Sequence, residues 1–174
     1  MTQTNKYKQE SIEGFAKFIH ELLRSDRDVN IATGGFTGEG KSTFMILLMI
    51  AYSKISSTKF DFENNITWSR EELLKWIDGD KEGNGRMPEY SPVLADELIS
   101  MFYNRNWYDD AQKGAVELFN KCRDRHLFIG GNIPNFWELD LGMQSRIRFY
   151  VYIPWDSSSH HSCVVHRSEA CLVR

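Results

Sequence analysis

A glycine-rich segment with a single lysine carries the clearest chemical signal in the sequence. Its residues match the pattern G-x-x-x-x-G-K-[ST] at Gly35, Gly40, Lys41 and Ser42. The backbone N–H groups of such a turn, together with those at a helix N-terminus, offer many hydrogen-bond donors to a phosphate without bulky side chains in the way. This glycine loop (residues 35–42) is therefore predicted to bind the phosphates of a nucleoside triphosphate.

Individual residues of the glycine loop have separate predicted roles. Gly38 and Gly40 let the backbone approach the phosphates, and Lys41 reaches the β and γ phosphates. The hydroxyl of Ser42 is expected to bind Mg²⁺. An ordinary glycine turn is the alternative, but the strand and helix patterns on either side favour a nucleotide site. The predicted ATP-binding residues are Gly35, Gly38, Glu39, Gly40, Lys41, Ser42 and Thr43.

Two carboxylates, Asp96 and Glu97, follow the short apolar run from Pro92 to Ala95. An aspartate at the end of a buried strand can hold the water shell of a metal ion, and a neighbouring glutamate can orient or deprotonate an attacking water. The alternative is a carboxylate pair that only caps the next helix. The functional interpretation predicts hydrolysis, with Ser42 and Asp96 at the metal and Glu97 as the base.

Asn132 ends a later apolar run, HLFIGGN. At the end of a strand its amide would contact the γ phosphate or the attacking water and report hydrolysis to the rest of the domain. Asparagine before Ile-Pro is also a common turn residue, and that alternative stays open. The predicted catalytic residues are Glu97, Lys41 and Asn132.

Around these residues, apolar runs alternate with helical patterns. Strands are predicted at 29–33, 66–68, 92–95, 126–132 and 146–154, and helices at 11–24, 41–54, 69–77 and 109–125. In the last of these strands Ile147, Phe149, Val151 and Ile153 are expected on one face. Since parallel strands need crossovers that are usually helical, the pattern predicts a three-layer α/β/α domain with a mainly parallel central sheet and the glycine loop at the carboxyl edge of the first strand.

The composition supports one soluble intracellular domain. At 174 residues and 41% hydrophobic content the chain is long enough for a core, and no apolar run is long enough to span a bilayer. Three cysteines at no framework spacing suit a reducing compartment. The net charge of −3 gives no overall attraction to nucleic acid. The expected division is a helix at 11–24, a core at 29–153 and further strands at 154–174, with a polar loop at 78–91.

The glycine loop and the Asp96–Glu97 pair resemble those of P-loop NTPases. The resemblance is to the branch with an additional strand between the Walker A and Walker B strands and a catalytic glutamate beside the Walker B aspartate, and it covers about residues 29–153. Within this branch, residues 126–154 are similar to FtsK/HerA-type DNA translocases and viral genome-packaging ATPases, and also to zonular occludens toxin-like phage ATPases. The translocases typically carry a glutamine where this chain has Asn132.

This resemblance implies an oligomeric motor, active as a ring on double-stranded DNA, with a viral capsid or portal as a further partner. It also implies an arginine from the adjacent subunit, for which the candidates are Arg105, Arg123, Arg125, Arg146 and Arg148. A phage extrusion ATPase, a small-molecule kinase and a nucleotide-dependent switch are the alternatives. A kinase lid would be rich in arginine, whereas the loop at 78–91 contains only Arg86. Composition and spacing alone imply only an NTPase.

Overall fold

A six-stranded sheet lies at the centre of the computed structural model, which describes residues 11–80, 82–96, 120–139, 141–153 and 164–167. Its strands pair in the order β2-β3-β4-β1-β5-β6, and all neighbours are parallel except β5 and β6. The strands are β1 (Val29–Gly34), β2 (Ile66–Thr67), β3 (Pro92–Ala95), β4 (Phe128–Asn132), β5 (Phe149–Tyr152) and β6 (Val164–Arg167). All five predicted strands are present.

Helices connect and cover these strands. The α-helices are α1 (Ile12–Arg24), α2 (Lys41–Ser56), α3 (Phe62–Asn65), α4 (Arg70–Asp78) and α5 (Leu141–Arg146), with a 3₁₀ helix at Phe136–Glu138. The predicted helices at 11–24, 41–54 and 69–77 are confirmed. The helix predicted at 109–125 lies mostly outside the described residues, and its part at 120–124 is helical. The helices α3 and α5 and the 3₁₀ helix were not predicted.

Helix α1 packs through the apolar stripe that its sequence predicts. The Ser11 hydroxyl caps the helix by accepting a hydrogen bond from the Gly14 N–H at 3.0 Å. Four side chains of the stripe are buried with α2 and the sheet, namely Ala16, Ile19, Leu22 and Leu23. A fully buried leucine or isoleucine contributes about 1.5–3 kcal/mol, so this stripe holds α1 on the domain.

Helix α2 is apolar on most sides because it lies between the sheet and α1. It contacts β1, β3 and β4 as well as α1, and Met45, Met49 and Tyr52 are fully buried. Gly130 of β4 permits this close packing, since a Cβ there would lie 2.6 Å from the terminal methyl carbons of both methionines. Gly130 therefore has a packing role in β4.

The opposite face of the sheet is covered by α4, the segment at 120–124 and the chain around the 3₁₀ helix. Buried side chains form one apolar cluster on each face of the sheet. Val93 and Ile129 belong to the cluster on this face, which we call the second cluster, and Leu94 belongs to the cluster that contains α1 and α2. The alternation of side chains along a strand likewise sends Phe149 and Val151 towards α1 and α2. This arrangement confirms the predicted three layers.

The predicted row of side chains in the last parallel strand is only partly correct. Ile147, Phe149, Val151 and Ile153 are all buried. Ile147, however, belongs to the second cluster rather than to the one that contains Phe149 and Val151. It precedes β5 and directly follows α5, so the period of a strand does not apply to it.

At the carboxyl side of β5 the chain returns as β6, which extends the sheet antiparallel to β5. One of the further strands predicted at 154–174 is thus present, and the residues after Arg167 lie outside those described. The polar loop at 78–91 is exposed at 82–86 and re-enters the core at Met87.

Among the residues that the structure describes, no helix combines the length and apolarity that crossing a membrane requires.

His20 on α1 gives the stability of this fold a predicted pH dependence. Its ring makes edge contacts with Tyr52 and Tyr90, with centroid distances of 5.9 and 5.8 Å. Burial, with a smaller effect of Arg24, lowers the pKa of His20 below its ordinary value of 6.5. The unfolded chain therefore binds a proton more readily than the folded one, and stability is lost as the pH falls below 6.5.

Replacement of His20 by phenylalanine keeps the ring contacts and removes the titrating group. The loss of unfolding free energy between about pH 7.5 and about pH 5.5, measured by urea denaturation, should be smaller in this variant than in the wild type. An equal loss in both proteins would show that His20 contributes nothing to the pH dependence.

Candidate active site

The glycine loop joins the carboxyl end of β1 to the first turn of α2. All three of its glycines have positive φ angles: 143° at Gly35 and 88° at both Gly38 and Gly40. A Cβ on Gly35 would also lie 2.6 Å from the carbonyl oxygen of Ile153, so only glycine fits there. At Gly38 and Gly40 an added Cβ would meet nothing within 4 Å. This part of the loop therefore faces open space, as a phosphate site requires.

Lys41 and Glu39 brace the glycine loop from within. The ammonium group of Lys41 donates to the carbonyl oxygens of Gly35 and Phe36, both at 2.8 Å. The carboxylate of Glu39 accepts from the Phe36 N–H at 2.6 Å, and the Glu39 N–H donates back to the Phe36 carbonyl at 3.4 Å. Hydrogen bonds among its own residues thus close the loop, and the Lys41 ammonium lies against the first two of its carbonyl oxygens.

The sheet brings three strand ends to the side of this loop. Strand β4 lies between β1 and β3, with Thr33 opposite Asn132 and Ala95 opposite Gly131. Since parallel strands end at the same edge, Asn132 lies between the glycine loop and Asp96, the residue that follows β3. This is the order that the additional-strand resemblance implies.

The Asn132 amide connects the glycine loop to the acidic strand end. Its nitrogen donates to the Ser42 hydroxyl at 2.9 Å and also to the Asp96 carboxylate. The hydroxyl of Thr33 donates to the oxygen of the same amide. The Asn132 side chain thus links β1, the glycine loop and the end of β3, and its predicted role in hydrolysis stays a prediction.

Ser42 and Asp96 fit the predicted magnesium site. Both present an oxygen within hydrogen-bond reach of one atom, the Asn132 amide nitrogen, so the two oxygens converge on a common region. Hydroxyl and carboxylate oxygens are the donors that Mg²⁺ prefers, and phosphate oxygens and water commonly complete its octahedral shell. Thr43, on the first turn of α2, is exposed.

Two predicted site residues, Glu97 and Arg105, lie outside the described residues. Their roles stay predictions. Glu97 directly follows Asp96, whose backbone N–H donates to the Thr67 carbonyl of β2 at 2.9 Å. The chain is therefore fixed to the carboxyl edge of the sheet up to the residue before the proposed base.

The described arginine candidates lie towards the opposite, amino-terminal edge of the sheet. Arg148 precedes β5, and its guanidinium donates to the Asp28 carbonyl at 2.6 Å and pairs with the Asp28 carboxylate at 3.2 Å. Arg146 donates to the side chain of Asn120 at 2.8 Å, and Arg123 is exposed. The structure therefore does not bring them to the glycine loop of the same chain, and an arginine supplied between subunits stays a prediction.

Arg125 is held at the same amino-terminal edge. It precedes β4, and its guanidinium donates to the Met87 carbonyl at 2.7 Å. A second nitrogen of the guanidinium lies 3.9 Å from the Glu89 carboxylate. Its contacts anchor the end of the loop at 78–91, which is a structural role within this chain.

Thr33 is the site residue that the sequence interpretation missed. Its side chain is fully buried, and it is the only described residue whose hydroxyl donates to the Asn132 amide. The sequence indicates this residue only by its position: it carries a hydroxyl near the carboxyl end of β1, directly before Gly34 and Gly35. Recognising it required the pairing of β1 with β4, which the sequence does not state.

Comparison with known proteins supports this fold. No protein-family model matches the sequence, and no curated protein matches it either. A solved structure of PCH-2 from C. elegans is similar with a TM-score of 0.55 and 15% identity, over 86% of this chain and 44% of that one. The crystal structure of the FIGL-1 AAA domain gives a TM-score of 0.49 and 18% identity, over 78% and 48% of the two chains.

These likenesses concern the fold alone, since both identities are low and this chain spans less than half of either structure. The first of them, with its TM-score of 0.55, agrees with the strand order and with the position of the glycine loop. The chain has the three-layer α/β/α fold of P-loop NTPases, with a mainly parallel central sheet.

Proposed function

We propose that this chain hydrolyses ATP in a Mg²⁺-dependent reaction. The observation that carries the proposal is the Asn132 amide, which is bonded to Ser42 of the glycine loop and to Asp96 at the end of β3. The groups proposed to bind phosphate and metal come from the glycine loop, β4 and the end of β3, and they lie together at the carboxyl edge of the sheet. An ordinary glycine turn has no reason to be linked in this way to a strand-end carboxylate.

In this proposal each residue acts on a different part of the triphosphate. The N–H groups of the glycine loop and the Lys41 ammonium hold the phosphates and stabilise charge that develops during transfer. Ser42 and Asp96 would hold Mg²⁺, which supplies further charge neutralisation when bound. Glu97 orients or deprotonates the attacking water. The Asn132 amide donates hydrogen bonds to Ser42 and Asp96 and so holds the two proposed metal-binding residues.

DNA translocation or genome packaging by a ring of subunits is the finer proposal. It is supported by the resemblance of residues 126–154 to FtsK/HerA-type and packaging ATPases, whereas the similar solved structures support a P-loop fold without favouring those motors. A phage extrusion ATPase is the nearest alternative. The kinase alternative is weakened, because the guanidinium of Arg86 donates twice to the Asp78 carbonyl, at 3.1 and 2.9 Å, and so stabilises the loop itself.

Turnover measurements distinguish these functions. The purified chain is expected to release phosphate from ATP with Mg²⁺ and to stop when the metal is removed by a chelator. A DNA motor should also turn over faster with double-stranded DNA and form particles of defined mass with DNA and an ATP analogue. Turnover that DNA does not change would reject the motor and retain the ATPase, while phosphate transfer to a small molecule in place of water would favour a kinase.

A further inference from the structure

Thr33 contacts the proposed site without belonging to its phosphate-binding or metal-binding residues. It lies opposite Asn132 in the parallel pairing of β1 and β4, and its side chain is fully buried. Its hydroxyl donates to the Asn132 amide oxygen. We infer that Thr33 is a positioning residue, which holds this amide so that its nitrogen faces Ser42 and Asp96. The inference rests on the proposed function.

The two ends of the Asn132 amide have opposite hydrogen-bonding character, so its orientation matters. The nitrogen only donates and the oxygen only accepts. An ionised carboxylate is an acceptor only, and the nitrogen is therefore the end that faces Asp96. The oxygen consequently points away from the site, towards β1, where it needs a donor.

Thr33 supplies that donor. The Thr33 hydroxyl also lies 3.5 Å from the Gly131 carbonyl, but it has a single hydrogen, and the contact to Asn132 is the closer of the two. Asn132 is only 6% exposed, so water cannot readily replace this bond. A buried acceptor without a donor is costly, and loss of the hydroxyl would favour rotation of the amide away from its present orientation.

The expected consequence is a slower chemical step rather than weaker ATP binding. Binding depends chiefly on the backbone of the glycine loop and on Lys41, neither of which Thr33's hydroxyl contacts. The Asn132 nitrogen, in contrast, donates to Ser42 and Asp96, the two residues proposed to hold the metal ion that neutralises charge during phosphoryl transfer. A displaced amide therefore lowers kcat and leaves KM nearly unchanged.

Two substitutions at this position test the inference. Thr33→Val keeps the shape and removes the hydroxyl, and is expected to lower kcat about 3- to 10-fold with KM for ATP within about twofold, as for loss of one hydrogen bond. Thr33→Ser retains a hydroxyl and should restore most of the rate. In an Asn132→Ala background, Thr33→Val should have little further effect, whereas a general loss of stability would still reduce the rate there.

A second measurement does not depend on turnover. The side-chain amide signals of Asn132 in a ¹⁵N–¹H spectrum, assigned with the Asn132→Ala variant, should shift strongly in Thr33→Val and little in Thr33→Ser. Unchanged amide signals, or an unchanged kcat in Thr33→Val while the wild type hydrolyses ATP, would overturn the inference and leave the proposed function intact. Absence of turnover in the wild type rejects the proposed function, and with it any catalytic consequence of the Thr33 contact.

Discussion

Replacement of Lys41 by alanine is expected to weaken ATP binding by about 10- to 150-fold, the range for losing hydrogen bonds to a charged group. Hydrolysis should fall further, by a factor of about 100 or more, since Lys41 also stabilises charge that develops during phosphoryl transfer. The ammonium lies against the glycine loop, 2.8 Å from the carbonyl oxygens of Gly35 and Phe36. Titration with a fluorescent ATP analogue measures the binding, and phosphate release measures the turnover.

The same substitution removes the two bonds that Lys41 makes within the loop, so folding must be measured beside binding. Lys54→Ala is a matched control, because Lys54 is exposed in the last turn of the same helix. Both variants should unfold near the wild-type temperature, since the lysine contacts involve only exposed or half-buried loop backbone. Wild-type ATP affinity in Lys41→Ala would contradict the assignment of the glycine loop as the nucleotide site.

The elements that the sequence predicted best are those with a strong local pattern. The period of α1, the glycine loop before α2 and the apolar run of β3 each specify one element through neighbouring residues. Strand β3 ends at Ala95, as predicted from the two carboxylates that follow the apolar run. Local chemistry was therefore sufficient for the type and order of the elements that carry the site, whereas several of their bounds differ by one or two residues, as at β4, which begins at Phe128 rather than at residue 126.

Features that depend on contacts between distant segments were not predictable in the same way. The helix α5 has only six residues and no repeating apolar face, so its pattern is too short to recognise. Its presence places Ile147 in the second cluster. The contact between Thr33 and Asn132 joins residues 99 positions apart, and only the strand order brings them together.

Ser69 and Glu72 at the start of α4 have the spacing of a capping box, and its surroundings alter this local pattern. Ser69 caps the helix by accepting from the Glu72 N–H at 3.3 Å, as the pattern requires. The Glu72 carboxylate, however, accepts from the Thr67 hydroxyl at 2.6 Å, and that hydroxyl accepts from the Ser69 N–H. The Thr67 hydroxyl thus takes the place of the direct bond between the Glu72 carboxylate and the Ser69 N–H. The same residue accepts the Asp96 N–H through its carbonyl, which ties the helix start to the site.

Replacement of Glu97 by glutamine is the second substitution with a large expected effect. Glutamine has almost the same shape but cannot take a proton from water, so kcat should fall by about 100- to 10,000-fold, the range for loss of a general base. ATP affinity should stay close to that of the wild type, because the phosphates are held by the glycine loop and Lys41. Phosphate release and equilibrium binding of the ATP analogue measure the two effects separately.

Glu63→Gln is the control for this change, since Glu63 is an exposed glutamate on the first turn of α3. The contrast with Lys41→Ala is the decisive comparison: one variant should lose binding and turnover, and the other turnover alone. Asp96 fixes the expected position of Glu97, because it is bonded to the Asn132 amide at the edge of the sheet. Normal turnover in Glu97→Gln would leave Asp96 and Asn132 as a metal and nucleotide site and would require another base for the attacking water.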